Sequence, residues 1–504
     1  MADASQGETL AGGDMPPPAG VRASGGRQPI DLTTGPIRRT LLMFAIPTLA
    51  SNILQSLNGS INAIWVGRFL GEGALAATAN ANIIMFLLLS AVFGFGMAAT
   101  VLVGQAFGRH DVDGARRAFG SAVGLCFGLA AIVATLGWIF APDILSALAT
   151  PPEAFDLALT YLRVIFISIP PSLITLMIMM GLRGAGDSLT PLWFMIISVI
   201  LDSSLNPVFI LGLGPIPRMG IAGAATATCI ANLTSLIALL VYMYRVDLPM
   251  RLRGRELRYL LPSPALLRVI LAKGFPMGLQ MIVMSASGLV MIGLVNREGL
   301  LTTAAFSASQ QTWTYLQMPA MAIGGAVSAM AAQNIGAGRW DRVDRISRAG
   351  LLFNLLITGS MVLLLVGFDR PALALFLGSN SPAIDVARHM QMIASWSYLI
   401  FGFTMVLFGT MRSNGVVVWP LIILIFALFP VRLGVYFLGY PYIGVDALWY
   451  SFPIGSATSF LLAYAVFAHG GWKKVKLMVP TDPDECREHV QTESEPAGRM
   501  QPTG

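Results

Sequence analysis

Asp202 is the residue whose type and position most directly suggest chemistry. It lies deep in a long apolar run, with Asn206 one helical turn further on, and it is the one acidic residue placed so deeply in any such run. Apolar surroundings penalise the charged form of a carboxyl group, so this one could bind and release a proton under physiological conditions. We therefore predict that Asp202 and Asn206 belong to an ion-coupling site. A permanent structural ion pair between Asp202 and a basic residue is the alternative.

Polar side chains in two other apolar runs could complete an oxygen-rich pocket. The first run has four at spacings of 4, 3 and 4 residues, which places them on one helical face: Ser51, Gln55, Asn58 and Asn62. Lipid makes polar side chains costly, so this face should meet water, a ligand or another polar helix. We assign Asn62 and Thr228 to the ion-coupling site, and Gln55 and Asn58 to a substrate cavity. Hydrogen bonding between helices is the alternative.

The second half of the chain has a different set of candidate cavity residues. Met281 and Met284 lie on one helical stripe, and Gln311 and Tyr315 lie in the next apolar run. Methionine adapts to the shape of what it contacts, so this surface suits flat apolar ligands, although core packing is the alternative. Arg432 lies near the middle of the eleventh apolar run. It could pair with a backbone carbonyl, a carboxylate or an anionic ligand, and we include it in the predicted substrate cavity.

Long apolar runs must position these residues. The 504 residues are 55% hydrophobic and only 12% charged, whereas soluble domains have about 25% charged residues. Runs of this length match helices of about 20 residues that cross the hydrocarbon layer. Twelve spans are predicted, near 41–66, 75–104, 117–141, 157–182, 189–213, 220–244, 265–295, 303–333, 349–368, 387–411, 416–439 and 445–468. The expected fold class is an all-α polytopic membrane protein.

An internal repeat divides these spans into two halves. At a nearly constant offset, one set of positions recurs as another: Gly96, Gln105, Gly108, Gly181, Gly186 and Pro191 correspond to Gly324, Gln333, Gly336, Gly409, Gly415 and Pro420. Each half contains six spans, an even number, so both enter the membrane in the same orientation and are related by a pseudo-two-fold axis along its normal. Duplication around a central cleft is typical of secondary transporters that work by alternating access.

The repeat and the charges predict the domain organisation. We expect a first six-helix lobe at 37–245, a basic linker at 246–263 and a second six-helix lobe at 264–470, with disordered segments at 1–36 and 471–504. Most Lys and Arg residues fall on the side that holds both termini, which is typical of the cytoplasmic side. The net charge of +6 therefore reflects membrane topology and contact with the lipid bilayer, and gives no reason to expect nucleic acid as a partner.

Several motifs in order resemble the multidrug and toxic compound extrusion (MATE) transporters. They are GRFLG at 67–71, VGQAFG at 103–108, GLRGAGD at 181–187 and GIAGAATAT at 220–228. The resemblance covers about residues 37–470. It implies two six-helix lobes around a central cavity and export of organic cations and other small amphipathic compounds in exchange for H⁺ or Na⁺, without a cofactor. For the bacterial branch, which this chain most resembles, it implies a monomer in the cytoplasmic membrane.

This sequence departs from the family pattern at the acids. Asn62 stands where bacterial members often have an acid, and the usual Asn-then-Asp order of the fifth span is here Asp202 then Asn206. The second lobe has Met284 and the apolar neighbourhood of Phe401 where other branches have acids. Asp202 is therefore the expected sole coupling acid, and H⁺ is favoured over Na⁺ because one carboxylate with neutral oxygens suffices for a proton.

Other classes of function are less consistent with the sequence. A flippase for a lipid-linked saccharide or another amphipathic lipid is the alternative transporter, but it should show several basic residues in its cavity, where Arg432 is the single candidate. An enzyme is not expected, since no catalytic set or metal-ligand spacing is present and the histidines lie in or near loops and chain ends. The duplication makes a receptor or a passive channel less consistent than an exchanger.

Overall fold

The structure of the chain is a computed structural model that describes residues 30–147, 152–212, 217–378 and 381–475. These residues form helices, and the described ranges contain no strand. The helices of the first lobe are α1 (Ile37–Gly108), α2 (Val112–Ile139), α3 (Ala141–Ala147), α4 (Pro152–Gly184), α5 (Leu189–Leu211) and α6 (Ile221–Arg245). Those of the second lobe are α7 (Pro264–Asn296), α8 (Leu300–Gly336), α9 (Trp340–Gly367), α10 (Asp369–Leu377), α11 (Ala383–Ala394), α12 (Trp396–Arg412), α13 (Val418–Phe426), α14 (Arg432–Ile443) and α15 (Asp446–His469).

The predicted all-α polytopic fold with twelve spans in two six-helix lobes is confirmed. Ten helical segments in the described ranges are long and apolar enough to cross a membrane. The two remaining predicted spans are the end of α1, Val92–Gly108, and α8. These two pack against each other between the lobes. The side chains of both segments are largely buried against other helices.

The long helix α1 contains both of the first two predicted spans. Leu32, just before it, donates its backbone N–H to Gln333 Oε1 at 3.3 Å, and Gly108, its last residue, lies against the backbone of the same Gln333. Both ends of α1 therefore lie at one end of the molecule. We call this the terminal end, because the described chain also finishes there. The apolar segments Ile37–Leu70 and Val92–Gly108 consequently run in opposite directions across the bundle.

The two lobes meet along a seam at which backbones touch. At the terminal end, a side chain at Gly336 would overlap the carbonyl of Gln105, and one at Gly108 would overlap the carbonyl of Gln333. The same two glutamines donate hydrogen bonds across the seam, Gln105 Nε2 to Ser413 O at 2.7 Å and Gln333 Nε2 to Gly184 O at 2.9 Å. Because the residues on one side are the repeat equivalents of those on the other, the duplication seen in the sequence is also a two-fold relation in space.

Ordered structure extends beyond the predicted limits at both ends of the chain. Asn334 Nδ2 donates to Leu32 O at 2.9 Å, and the Arg339 guanidinium donates to Thr33 O at 2.7 Å. At the other end, Trp472 is 3% exposed and its carbonyl accepts from Asn414. Side chains of the second lobe thus hold residues 30–36 and 471–475, an order that composition does not reveal. Residues 1–29 and 476–504 lie outside the described residues.

The basic linker between the lobes docks on the first lobe. Its residues Gly254–Leu260 form a 3₁₀ helix, and Arg116 of α2 forms an ion pair with Glu256 at 2.6 Å. A side chain at Gly124 of α2 would overlap the carbonyl of Leu260, so the linker packs closely against α2 at this glycine. The linker is therefore an ordered part of the first lobe over its described length.

The seam predicts how two glycines of α8 should respond to the same change. Gly336→Ala pushes a methyl group into the Gln105 backbone, and we expect overpacking to lower stability by about 1–3 kcal/mol. Gly325→Ala, on the same helix with open space around it, should be neutral or stabilising by up to about 1 kcal/mol, since alanine favours helix. Thermal unfolding of the purified variants measures both. Equal melting temperatures for the two variants would contradict the close contact.

Candidate functional site

Asp202 lies at the centre of a polar cluster inside the first lobe. Its side chain is 2% exposed. The carboxylate accepts from Thr228 Oγ1 at 3.0 Å and from Asn206 Nδ2 at 3.2 Å, and the Asn58 side chain also hydrogen-bonds to it. Three helices, α1, α5 and α6, thus supply the hydrogen-bonding partners of one carboxylate.

Asn62 and a residue that the sequence did not single out complete this cluster. Asn62 forms a side-chain hydrogen bond to Tyr161 of α4, which is 2% exposed and close to Asp202. Nothing in the sequence marked Tyr161, because a tyrosine in an apolar run is most often packing. We call Asn58, Asn62, Tyr161, Asp202, Asn206 and Thr228 the acid site. All four residues predicted for ion coupling lie in it.

The acid site contains a charge that the described protein does not offset. Among the residues that the structure describes, no Lys, Arg or His nitrogen lies within 4.0 Å of Asp202. The alternative of a permanent ion pair is therefore not what the structure shows. Three buried acceptors in the site, Asn58 Oδ1, Asn62 Oδ1 and Asn206 Oδ1, have no hydrogen-bond donor from the described protein. Unsatisfied buried acceptors are uncommon in native proteins and point to a functional role.

A separate cavity of about 690 Å³ lies inside the second lobe. Met281 and Met284 of α7, two of the residues predicted for a substrate cavity, line it. Its walls are mainly apolar and aromatic, with a few amides and hydroxyls. Its lining also includes Gln310, Trp313, Gln317, Tyr398, Phe401, Arg432 and Phe452. A cavity of this size and composition is typical of a site for one small organic molecule.

Four residues predicted for the substrate cavity lie elsewhere. Gln311 and Tyr315 do not line the cavity, and Tyr315 is 44% exposed. The reason is helical phase, since the inward face of α8 carries Gln310, Trp313 and Gln317, and a step of one residue rotates a side chain by about 100°. Asn58 lies in the acid site instead. Gln55 is exposed on α1 and likewise does not line this cavity.

Arg432 reaches the cavity from the start of α14 and is 8% exposed. Its Nη1 donates to Ser287 Oγ at 3.3 Å, and its guanidinium lies 4.4 Å from the centre of the Phe452 ring. Its Nε has no acceptor in the described protein, and no carboxylate of the described residues lies within 4.0 Å. Of the three partners considered from sequence, neither a carboxylate nor a backbone carbonyl is found in the part of the chain that the structure describes.

The two sites lie in different lobes of a duplicated fold. A family model described as MatE matches residues 47–208 and 276–438, one in each lobe. The chain belongs to the MatE family. The MatE resemblance noted from its motifs is thereby confirmed, and the relatives compared with it are named as multidrug resistance proteins or transporters.

Individual MatE proteins support this assignment. The probable multidrug resistance protein YoeA of Bacillus subtilis is 35% identical over 441 residues, which are 87% of this chain and 95% of YoeA. An FAD transporter of Shewanella oneidensis is 27% identical over 363 residues, 70% of this chain and 77% of that protein. A crystal structure of MATE in the straight conformation superposes with a TM-score of 0.79 at 19% identity, covering 88% of this chain and 98% of that one. The chain is thus an integral membrane transporter with the MatE fold.

Neighbouring glutamines on α8 test where the cavity lies. In a background without Cys126, Cys229 and Cys486, we expect Gln310→Cys to react with a charged, water-soluble thiol reagent, because this position faces the cavity. At about ten times its Kd, a flat apolar probe such as pyrene-1-methanol should slow this labelling roughly tenfold by occupying the cavity. It should leave the labelling of Gln311→Cys nearly unchanged, because Gln311 does not line the cavity. The rate of labelling in membranes measures both effects. Equal protection at positions 310 and 311 would place the cavity on the wrong face.

Proposed function

We propose that this MatE protein is a secondary active exporter that moves small amphipathic organic compounds out of the cell by alternating access, in exchange for protons. One observation carries the proposal. Asp202, buried inside the first lobe, has hydrogen-bond donors around it but no opposite charge among the described residues, so its charge is left to be neutralised by an ion that arrives and leaves.

The arrangement of the acid site favours H⁺ over Na⁺. Thr228 and Asn206 both direct hydrogen atoms at the carboxylate, which suits its ionised form. A sodium ion would need several oxygens turned toward it beside the carboxylate, since hard cations bind oxygen ligands, whereas Thr228 and Asn206 turn donors there. When Asp202 is protonated, its O–H needs an acceptor. The free Oδ1 atoms of Asn58 and Asn206 can supply one after small side-chain rotations. Each protonation form can therefore be satisfied by the same neutral residues.

The seam supports movement of two lobes as units. The terminal end is closed by the reciprocal contacts of Gln105 and Gln333, and each lobe has its own apolar core. Close-packed cores of this kind move as rigid bodies and change at the interface between them. Opening and closing of the seam at alternate ends would expose the interior to each side of the membrane in turn.

The cargo is proposed from the second-lobe cavity and from the relatives. Methionine and aromatic walls suit flat amphipathic molecules. The family resemblance implied a cationic cargo, and the buried carboxylate of Asp202 supports this preference. Arg432, which lines the cavity itself, disfavours a cationic cargo because its own side chain is positively charged. The relatives are named for both multidrug resistance and FAD transport, and FAD is a flat aromatic anion. A lipid-linked saccharide is less favoured, because Arg432 is the one basic residue among the described cavity walls.

The proposed setting is the cytoplasmic membrane of a bacterium, with both termini in the cytoplasm and the chain acting as a monomer. Its support is the excess of Lys and Arg on the side of the termini, together with the bacterial origin of the relatives. On this orientation, the terminal end of the seam is the cytoplasmic end.

Substitution of the acid tests the coupling. In inverted membrane vesicles with an acid interior, transported compounds should collapse the pH gradient, which an acridine dye reports by recovery of fluorescence. We expect at least one of ethidium and pyrene-1-sulfonate to do so with the native protein. Asp202→Asn should remove this effect by at least tenfold, because an amide cannot exchange a proton.

Asp369→Asn is the matched control for this test. Asp369 is the other described aspartate that is less than a tenth exposed, at 7%, but it pairs with Arg388 far from the acid site. This variant should keep the native response, and equal melting temperatures would show that both variants fold. Full gradient collapse by Asp202→Asn would remove this residue from the coupling, and a native protein without any response would contradict proton exchange.

A further inference from the structure

We infer that the second-lobe cavity is an anion site, in which Arg432 binds the carboxylate, sulfonate or phosphate group of a flat aromatic compound. The inference names the substrate class and rests on the proposed function for the statement that this compound is exported. The observations behind it are the register of the repeat, the contacts of Arg432 and the composition of the cavity walls.

The register places Arg432 at the position of Asp202. Pro191 and Pro420, which start the corresponding helices, are repeat equivalents. Between Pro420 and Arg432, residues Ala427–Val431 form a turn of π-helix. Such a turn inserts one extra residue into an α-helix. After this turn, each residue of the second half lies one position later than its equivalent in the first half. With this shift, Arg432 corresponds to Asp202.

The neighbours of the two charges correspond in the same way. Asn58 contacts Asp202, and Ser287 contacts Arg432. On the same two helices, Pro47 and Pro276 are repeat equivalents, and Asn58 follows Pro47 at the same interval as Ser287 follows Pro276. Asn58 and Ser287 are therefore equivalent positions as well.

The second pair of neighbours follows from the helix starts. Gly220 and Gly444, which precede α6 and α15, have matching φ values of 57° and 59°. Counted from these two glycines, Thr228 and Phe452 occupy the same position. Thr228 hydrogen-bonds Asp202, and Phe452 lies under Arg432. The two lobes thus place one charge each in the same setting, with opposite sign.

The charge of Arg432 is not offset by the described protein. It has one hydrogen bond to a hydroxyl and one aromatic contact, and its Nε lacks an acceptor. A guanidinium presents a planar set of donors that matches an anionic oxygen group. Arg412 also has an Nε without an acceptor, but it is only partly buried, donates to Gln280 Oε1 and does not line the cavity. Arg432 is therefore the cation whose free donor and position both point to a ligand in the cavity.

The cavity walls specify the rest of the ligand. Phe306, Trp313, Phe401 and Phe452 supply aromatic faces, and Met281 and Met284 supply adaptable apolar contacts. The volume of about 690 Å³ holds a polycyclic body beside its charged group. A compound with an aromatic ring system and one terminal anion would occupy the aromatic part and meet Arg432 at the same time.

Three probes with one ring system test this inference in purified protein: pyrene-1-sulfonate, pyrene-1-methanol and pyrene-1-methylammonium. Their apparent Kd values come from ligand-induced thermal stabilisation in a neutral detergent. We expect the native protein to bind the sulfonate at least about tenfold more tightly than the ammonium. Arg432→Met should weaken sulfonate binding by about tenfold or more and leave the methanol nearly unchanged, whereas Arg432→Lys should retain most of the sulfonate binding.

Arg163→Met is the matched control. Arg163 also stacks on an aromatic ring, with its guanidinium 4.8 Å from the centre of the Trp138 ring, but it lies in the first lobe. It should leave all three Kd values unchanged. Unchanged sulfonate binding by Arg432→Met would overturn the inference. If Arg432→Met does not fold, the native protein still tests the inference. Tighter binding of the ammonium than of the sulfonate by native protein would overturn the inference.

The binding test and the proton test fail independently. Probe binding needs no pH gradient, and Asp202→Asn should bind pyrene-1-sulfonate like the native protein. Loss of charge preference in the cavity would refute the anion site while leaving proton-coupled export intact. Retained preference in a protein that never collapses a gradient would refute the proposed export and keep the anion site.

Discussion

Two charged side chains buried in separate lobes, each without an opposite charge nearby in the described chain, are the constraint on which the rest of this structure depends. A membrane offers no water to offset such charges, so each needs a partner from outside the protein. Asp202 and Arg432 cannot neutralise each other, because each is enclosed by the helices of its own lobe. In the proposed function, a proton neutralises the first and an anionic group neutralises the second, so the two binding events take place in separate lobes.

Duplication explains how one scaffold came to hold both charges. The same helix positions supply the neighbours of each charge, and a few of these side chains differ between the lobes. Thr228 beside the acid corresponds to Phe452 beside the base, and Asn58 corresponds to Ser287. The turn of π-helix before Arg432 adjusts the register by one residue. The overall fold is shared by the halves, while the local chemistry is inverted.

The sequence predicted the parts of the fold that depend on period and hydropathy. Apolar runs predicted the twelve spans, and matching positions predicted the repeat. The cost of charge in lipid singled out Asp202 as a candidate site residue. What it could not predict was rotation about helix axes, which placed Gln310 rather than Gln311 in the cavity and Asn58 beside Asp202. Tyr161 was missed because aromatic residues in apolar runs usually only pack. The order of residues 30–36 depends on distant donors such as Asn334, which no local pattern reveals.

The docking of residues 30–36 has a consequence for how the lobes can separate. These residues are held by the second lobe yet lead directly into α1, and the linker joins the lobes again at the same end. The polypeptide therefore connects the two lobes twice at the terminal end, once through residues 30–36 and once through the linker. These two short connections limit how far the lobes can separate at the terminal end, whereas the opposite end of the seam has no such limit from them.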